Sequence, residues 1–153
     1  MQLLPGWHPL IVHFPLALIV TAAVALTAGQ GWRNPRVAET LAIVGTWNLC
    51  LGAVGVLFAL GSGLAAAIDL HVGPATHQAI SAHVKSAILT AFLVLAVALW
   101  RGVGVASTSR PSWIFLILLW LATASLTVTG YRGGQNVYRY GVGVSALMER
   151  ESP

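Results

Sequence analysis

The chain has 153 residues, 57% of them hydrophobic and only 8% charged, and its mean hydropathy is +0.80. Soluble domains carry about a quarter charged residues, so this composition excludes a water-soluble protein and requires an integral membrane one. Eight basic residues against four acidic ones give a net charge of +4, but no cluster of four exists to grip nucleic acid or form a polybasic lipid patch.

The first apolar segment runs from about Pro9 to Ala28 and opens on Trp7-His8-Pro9-Leu10-Ile11-Val12-His13-Phe14-Pro15. No basic n-region or small-residue cleavage site marks it as a removable signal, so it is expected to stay as a spanning helix. It has the roughly 20 residues that cross a bilayer. Gly29-Gln30-Gly31 ends it, and Asn34-Pro35 predicts an N-cap with proline at the first helical position. The second segment, about Leu41 to Ile68, is long enough to tilt or protrude. Its Gly55, Ala59, Gly63 and Ala67 recur every four residues, a stripe of small side chains that lets helices approach closely. Cys50, the single cysteine, sits within it; it excludes an internal disulfide and reads as a packing residue.

Gly73-Pro74 breaks the chain before a third segment, about Ala79 to Trp100. Pro111-Ser112 opens a fourth, about Ser112 to Tyr131, and a polar tail of residues 132–153 follows Gly133-Gly134. No internal repeat stands out. These elements predict an all-α integral membrane protein: one domain, a four-transmembrane-helix bundle in up-down-up-down order, with short connections and antiparallel neighbours.

Antiparallel order brings the starts of the first and third helices to the same side as the ends of the second and fourth. Those ends carry His8 and His13; Asp69 and His71; His77, His83 and Lys85; and Gln135, Asn136, Tyr138, Arg139 and Tyr140. All five histidines therefore gather at one membrane face. The other face holds Arg33, Arg36, Arg101 and Arg110, one acid, Glu39, and the tryptophans Trp32, Trp100 and Trp113. The arginine loops, with four Arg against one acid, look cytoplasmic by the positive-inside rule, although Lys85, Arg132, Arg139 and Arg150 are as many on the histidine face. The histidine face and both termini are expected on the periplasmic side of a bacterial inner membrane.

Ionisable groups at such depth are costly and mark functional sites by default. His13 stands four residues into the first helix, and His83 a similar distance into the third. Two imidazoles at equal depth on diagonal helices are the arrangement that clamps a b-type haem, one on each axial position of the iron. The small stripe of the second helix would give the macrocycle room. His8 and His77 lie five and six residues nearer the surface, about 8–9 Å away, tight for a second stacked haem, so one haem b is expected with two as the alternative. They read as rim residues, set to meet propionates with Lys85, Arg132, Arg139, Tyr138 or Tyr140. His8 and His13 are about 140° apart on an ideal helix, so both face the core only if Pro9 and Pro15 distort the first turn.

Simpler readings compete. A histidine at a membrane interface ordinarily hydrogen-bonds or snorkels, and that reading suits His71 and His77 best. A copper or zinc site is a rival, although no Cys, Met or second carboxylate joins the cluster. Asn48, Thr46, Thr123 and Thr127 read as back-bonded or interhelical hydrogen-bonding residues. No Gly-x-Ser-x-Gly, His-Glu-x-x-His or phosphate loop is present, so side-chain catalysis is not expected.

The motifs His8-Pro9-Leu10-Ile11-Val12-His13-Phe14-Pro15-Leu16-Ala17 and Gly133-Gly134-Gln135-Asn136-Val137-Tyr138-Arg139-Tyr140-Gly141-Val142-Gly143-Val144, with Gly63, Asp69 and His83 between them, carry a resemblance. The chain resembles, over about residues 7 to 144, a predicted-membrane-protein family catalogued as a domain of unknown function. Members of that family also occur fused to Rieske-type iron–sulfur or c-type cytochrome domains, so the resemblance implies a redox setting. Where the family's last motif reads Tyr-x-His-Gly, this chain has Tyr138-Arg139-Tyr140-Gly141, which removes a candidate ligand and weakens any two-haem arrangement.

The function expected from these residues is that of a b-type cytochrome subunit. It would hold one haem b between His13 and His83, anchor a periplasmic or membrane redox partner, and exchange electrons with quinone. The alternatives are a cofactor-free anchor or assembly subunit and a histidine-rich transition-metal-binding membrane protein.

Overall fold

A computed structural model describes residues 7–68, 72–104 and 108–142. Asp69, His71 and residues 143–153, including the last two positions of the C-terminal motif, lie outside the described residues. The described chain forms α1 (His8–Gly31), α2 (Pro35–Ile68), α3 (Pro74–Gly104) and α4 (Trp113–Tyr138), with no strand among the described residues. All four helices are long and apolar enough to cross a membrane. The all-α, four-helix architecture is as expected.

The boundaries follow local chemistry. Asn34 Oδ1 accepts from the backbone N–H of Arg36 at 3.0 Å, and Pro35 opens α2 as the Asn34-Pro35 pair predicts. Ser112 Oγ accepts from Phe115 N at 3.2 Å and caps α4. Three boundaries differ from the expected apolar segments. Both α2 and α3 begin earlier, at Pro35 and Pro74, because each proline's fixed φ and missing N–H suit a first helical turn. Gly133-Gly134 do not end α4, which continues to Tyr138. The chain reverses at Gly141, whose φ of 65° favours glycine, while Gly141 N and Val142 N donate to the carbonyls of Val137 and Asn136.

In the bundle α1 packs most extensively on α2 and α3 on α4; α2 also meets α3 and α1 meets α4, leaving α1 and α3 diagonal. The inward faces are built from Ile19, Ala22, Leu26, Leu49, Ala53, Val94, Leu119 and Ala122. Larger apolar groups such as Phe58, Phe92, Leu99 and Ile114 face outward. Small residues inside and bulk outside is the membrane pattern, because lipid solvates large apolar side chains while close helix approach needs small ones. The α1–α2 contact keeps one register along its length. A Cβ on Gly45 would meet Leu26, one on Gly52 would meet Ile19, one on Gly55 would meet Pro15, and one on Gly63 would meet His8. The small stripe of α2 thus admits α1 itself, and the room expected there for a macrocycle is occupied by Pro15 and the His8 ring.

Several polar side chains along the helices bond to their own backbone. Thr46, Thr123, Thr127 and Asn48 each donate to the carbonyl four residues earlier, the back-bonding their positions predict. Between α3 and α4, Thr90 Oγ1 pairs with Ser125 Oγ at 2.7 Å and Thr129 Oγ1 at 2.9 Å, which ties the two helices in register.

Candidate functional site

The starts of α1 and α3 and the ends of α2 and α4 share one end of the bundle, and the deepest imidazoles there belong to His8 and His83. The axial pairing expected for His13 is corrected. His13 is exposed on the outer surface of α1, and its Nδ1 faces the carbonyl of Pro9 in its own helix. Helix phase is the reason. The buried stripe of α1 runs through Pro15, Ile19, Ala22, Leu26 and Gly29, steps of four and three residues. His8 stands seven residues, about two turns, before Pro15 and extends that stripe, whereas His13 is rotated about 200° from Pro15. The signal was present in the spacing of Pro15, Ala22 and Gly29, which repeats every seven residues and includes position 8.

His83 is on the inward face of α3, two turns before Thr90 and continuing through Val94, Val97 and Arg101. The two histidines are held in matching ways, each on the first helix of a hairpin against a glycine of the second. The His8 ring rests on Gly63, where a Cβ would lie 2.8 Å from Cε1. The His83 ring rests on Gly133, where a Cβ would lie 3.1 Å from Cε1.

Their hydrogen bonds settle both tautomers. His83 Nδ1 is 3.1 Å from the carbonyl oxygen of Thr129, which only accepts, so Nδ1 carries the proton. Ser62 Oγ donates to Ala59 O at 3.0 Å and therefore accepts from His8 Nδ1–H at 2.9 Å. The bonds to Ser62 and to the Thr129 carbonyl both use Nδ1, and the Ala59 carbonyl also lies within hydrogen-bonding reach of the His8 ring. A partner on one ring nitrogen is how metal-ligating imidazoles are oriented.

The rim residues are less convergent. His77, Lys85 and Tyr138 are exposed, Tyr138 at 92%. Lys85 is two residues from His83 and so points to another side of α3. Arg139 lies over the Tyr140 ring at 5.8 Å. Arg132 alone of this set is tied to the site: it donates to Ala82 O at 3.2 Å and is within coulombic reach of His83. Asn136, unremarked as a ligand-facing group in the sequence, is buried at the same end, three residues beyond Gly133.

No group of three or more His, Cys, Asp or Glu side chains converges among the described residues. Two imidazoles fall short of the three or four protein ligands zinc takes, but they suffice for an iron whose other four ligands come from a porphyrin.

The motifs at both ends of the chain fall on this site, His8 in the first and Gly133 in the last, and the family comparison spans both. The chain belongs to the DUF2231 family of predicted membrane proteins. The match covers residues 5–146. No curated protein and no solved structure matches the chain. In this DUF2231 protein the glycine closing the Tyr138-Arg139-Tyr140-Gly141 sequence is the left-handed residue that ends α4, a structural role independent of any ligand.

Proposed function

We propose that this protein is a b-type cytochrome subunit of the membrane, with His8 and His83 as the two axial ligands of one haem. The observation that carries the reading is the pair of inward imidazoles on diagonal helices, each with Nδ1 committed to a neighbour on the second helix of its hairpin. The haem would supply one-electron redox chemistry, its potential tuned by axial ligation, burial and nearby charge. The chain's own residues do the rest. Ser62 and the Thr129 carbonyl orient the rings, Gly63 and Gly133 clear the space in which they sit, and Arg132 supplies positive charge beside His83 for a propionate.

The histidine end is assigned to the periplasmic side, where a redox partner docks, and quinone in the bilayer is the natural small-molecule donor or acceptor. Support for this orientation is that the four arginines of the opposite end meet a single acid there, Glu39; in sequence the histidine end carries as many basic residues, which the reading assigns to a bound anion.

The test is the visible spectrum of the protein purified in neutral detergent, with a pyridine haemochrome assay for haem b. A reduced-minus-oxidised cytochrome spectrum is expected, lost in both His8→Ala and His83→Ala. A colourless wild-type protein of full helicity, expressed with haem available, overturns the reading.

A further inference from the structure

The end of the bundle opposite the histidines has its own cavity, of about 270 Å³, lined by Trp100, Arg101, Arg110, Pro111, Ser112 and Phe115. We propose that it binds the phosphate of an anionic phospholipid whose acyl chain lies along the groove between α1 and α4 that begins at Trp113, one residue after Ser112.

The cationic wall is built rather than incidental. Arg101 is only 1% exposed, and its guanidinium donates to Thr46 Oγ1 at 3.0 Å and to Ser109 O at 2.7 Å, over the Phe115 ring at 6.0 Å. Those contacts hold a positive charge in one orientation at the edge of the cavity. Arg110 reaches the end of α1, donating to Gln30 O at 3.3 Å and Trp32 O at 2.9 Å. The first turn of α4 opens into the same cavity at Ser112, and the dipole of a 26-residue helix favours an anion there. Arg33, Arg36, Arg101 and Arg110 share this end with one described carboxylate, Glu39.

The neighbouring groove explains why the anion belongs to a lipid. Trp113, next in the chain to Ser112, lines a second cavity of about 360 Å³ with Leu116, Ile117 and Trp120 of α4 and Thr27 of α1. Its walls are almost wholly apolar, and Trp120 Nε1 donates to Thr27 Oγ1 at 3.0 Å, leaving the indole nitrogen satisfied. α1 and α4 are the least extensively packed neighbours in the bundle, so this groove opens to the hydrocarbon. Trp100 and Trp113, exposed around the cavity, match the aromatic belt found at headgroup level.

Native mass spectrometry of the full chain, released from neutral detergent with phosphatidylglycerol or phosphatidylcholine of identical chains, tests this. Phosphatidylglycerol is expected to be retained about tenfold better: both lipids offer a phosphate, but phosphatidylcholine also brings a quaternary ammonium against Arg101 and Arg110, a like-charge contact that phosphatidylglycerol does not make. Arg110→Gln, at an exposed position, removes the preference; Ile117→Ser, in the groove, lowers retention of both lipids and keeps it. Excess inorganic phosphate leaves the bound lipid in place. Equal retention of the two lipids, or an unchanged preference in Arg110→Gln, overturns the proposal. Displacement by inorganic phosphate, or an equal rise in melting temperature with phosphate alone, assigns the cavity to a free anion and overturns the lipid assignment.

Discussion

The His8 imidazole lies so close to Gly63 that a side chain at position 63 would have no place, its Cβ falling 2.8 Å from Cε1 of the ring. The glycine and the histidine therefore act as one unit. Gly63→Ala is expected to force the ring out of its bond to Ser62 and to destabilise the protein by about 1–3 kcal/mol, the cost of overpacking. Gly61→Ala is the control, since nothing stands within 4 Å of a Cβ there. Thermal unfolding in detergent compares the two.

Gly133→Ala offers a milder version on the other hairpin. Its Cβ would stand 3.1 Å from His83 Cε1, a contact that small ring movement relieves. The expected result is retained helicity with a shifted axial geometry. In the cytochrome reading that appears as an altered Soret band or electron paramagnetic resonance signal rather than as lost haem.

His13 and His8 separate cleanly by substitution. His13 is exposed and bonds only within its own helix, so His13→Ala should leave both the melting temperature and any visible spectrum unchanged. His8→Ala should lose the spectrum. The reverse pattern would return the axial role to His13 and refute the helix phase described above.

Thr90 bridges α3 to α4 through two hydroxyl contacts just inside His83. Thr90→Val keeps the shape and removes both, so a loss of about 0.5–1.5 kcal/mol is expected, the range seen for hydrogen bonds between membrane helices. Unfolding by a denaturing detergent measures it.

Arg101 is a buried cation with several bonds, whereas Arg36 is exposed on α2. Arg101→Gln should cost about 2–3 kcal/mol, because hydrogen bonds to charged groups are worth more than neutral ones. Arg36→Gln should not alter the melting temperature. Equal behaviour would mean that Arg101 acts only as an orientation signal.

Much of this protein was legible without coordinates. Composition alone demanded a membrane protein, and Asn34-Pro35 and Ser112 marked where helices start because their backbone chemistry is local; Gly73-Pro74 read as a break, and the structure starts α3 there. Antiparallel order then put the histidines at one end, a consequence of connectivity that needs no packing detail. Which imidazole enters the bundle was decided only in three dimensions. His8 and His13 are about 140° apart, and a helix that is apolar all round gives no hydrophobic contrast to choose between them. The choice came from glycines on another helix, Gly45, Gly52 and Gly63, which set the rotation of α1 by close approach. Arg101 repeats the lesson: its place near a loop suggested a topogenic charge, and only the packing of α2 and α4 around it made it a buried one.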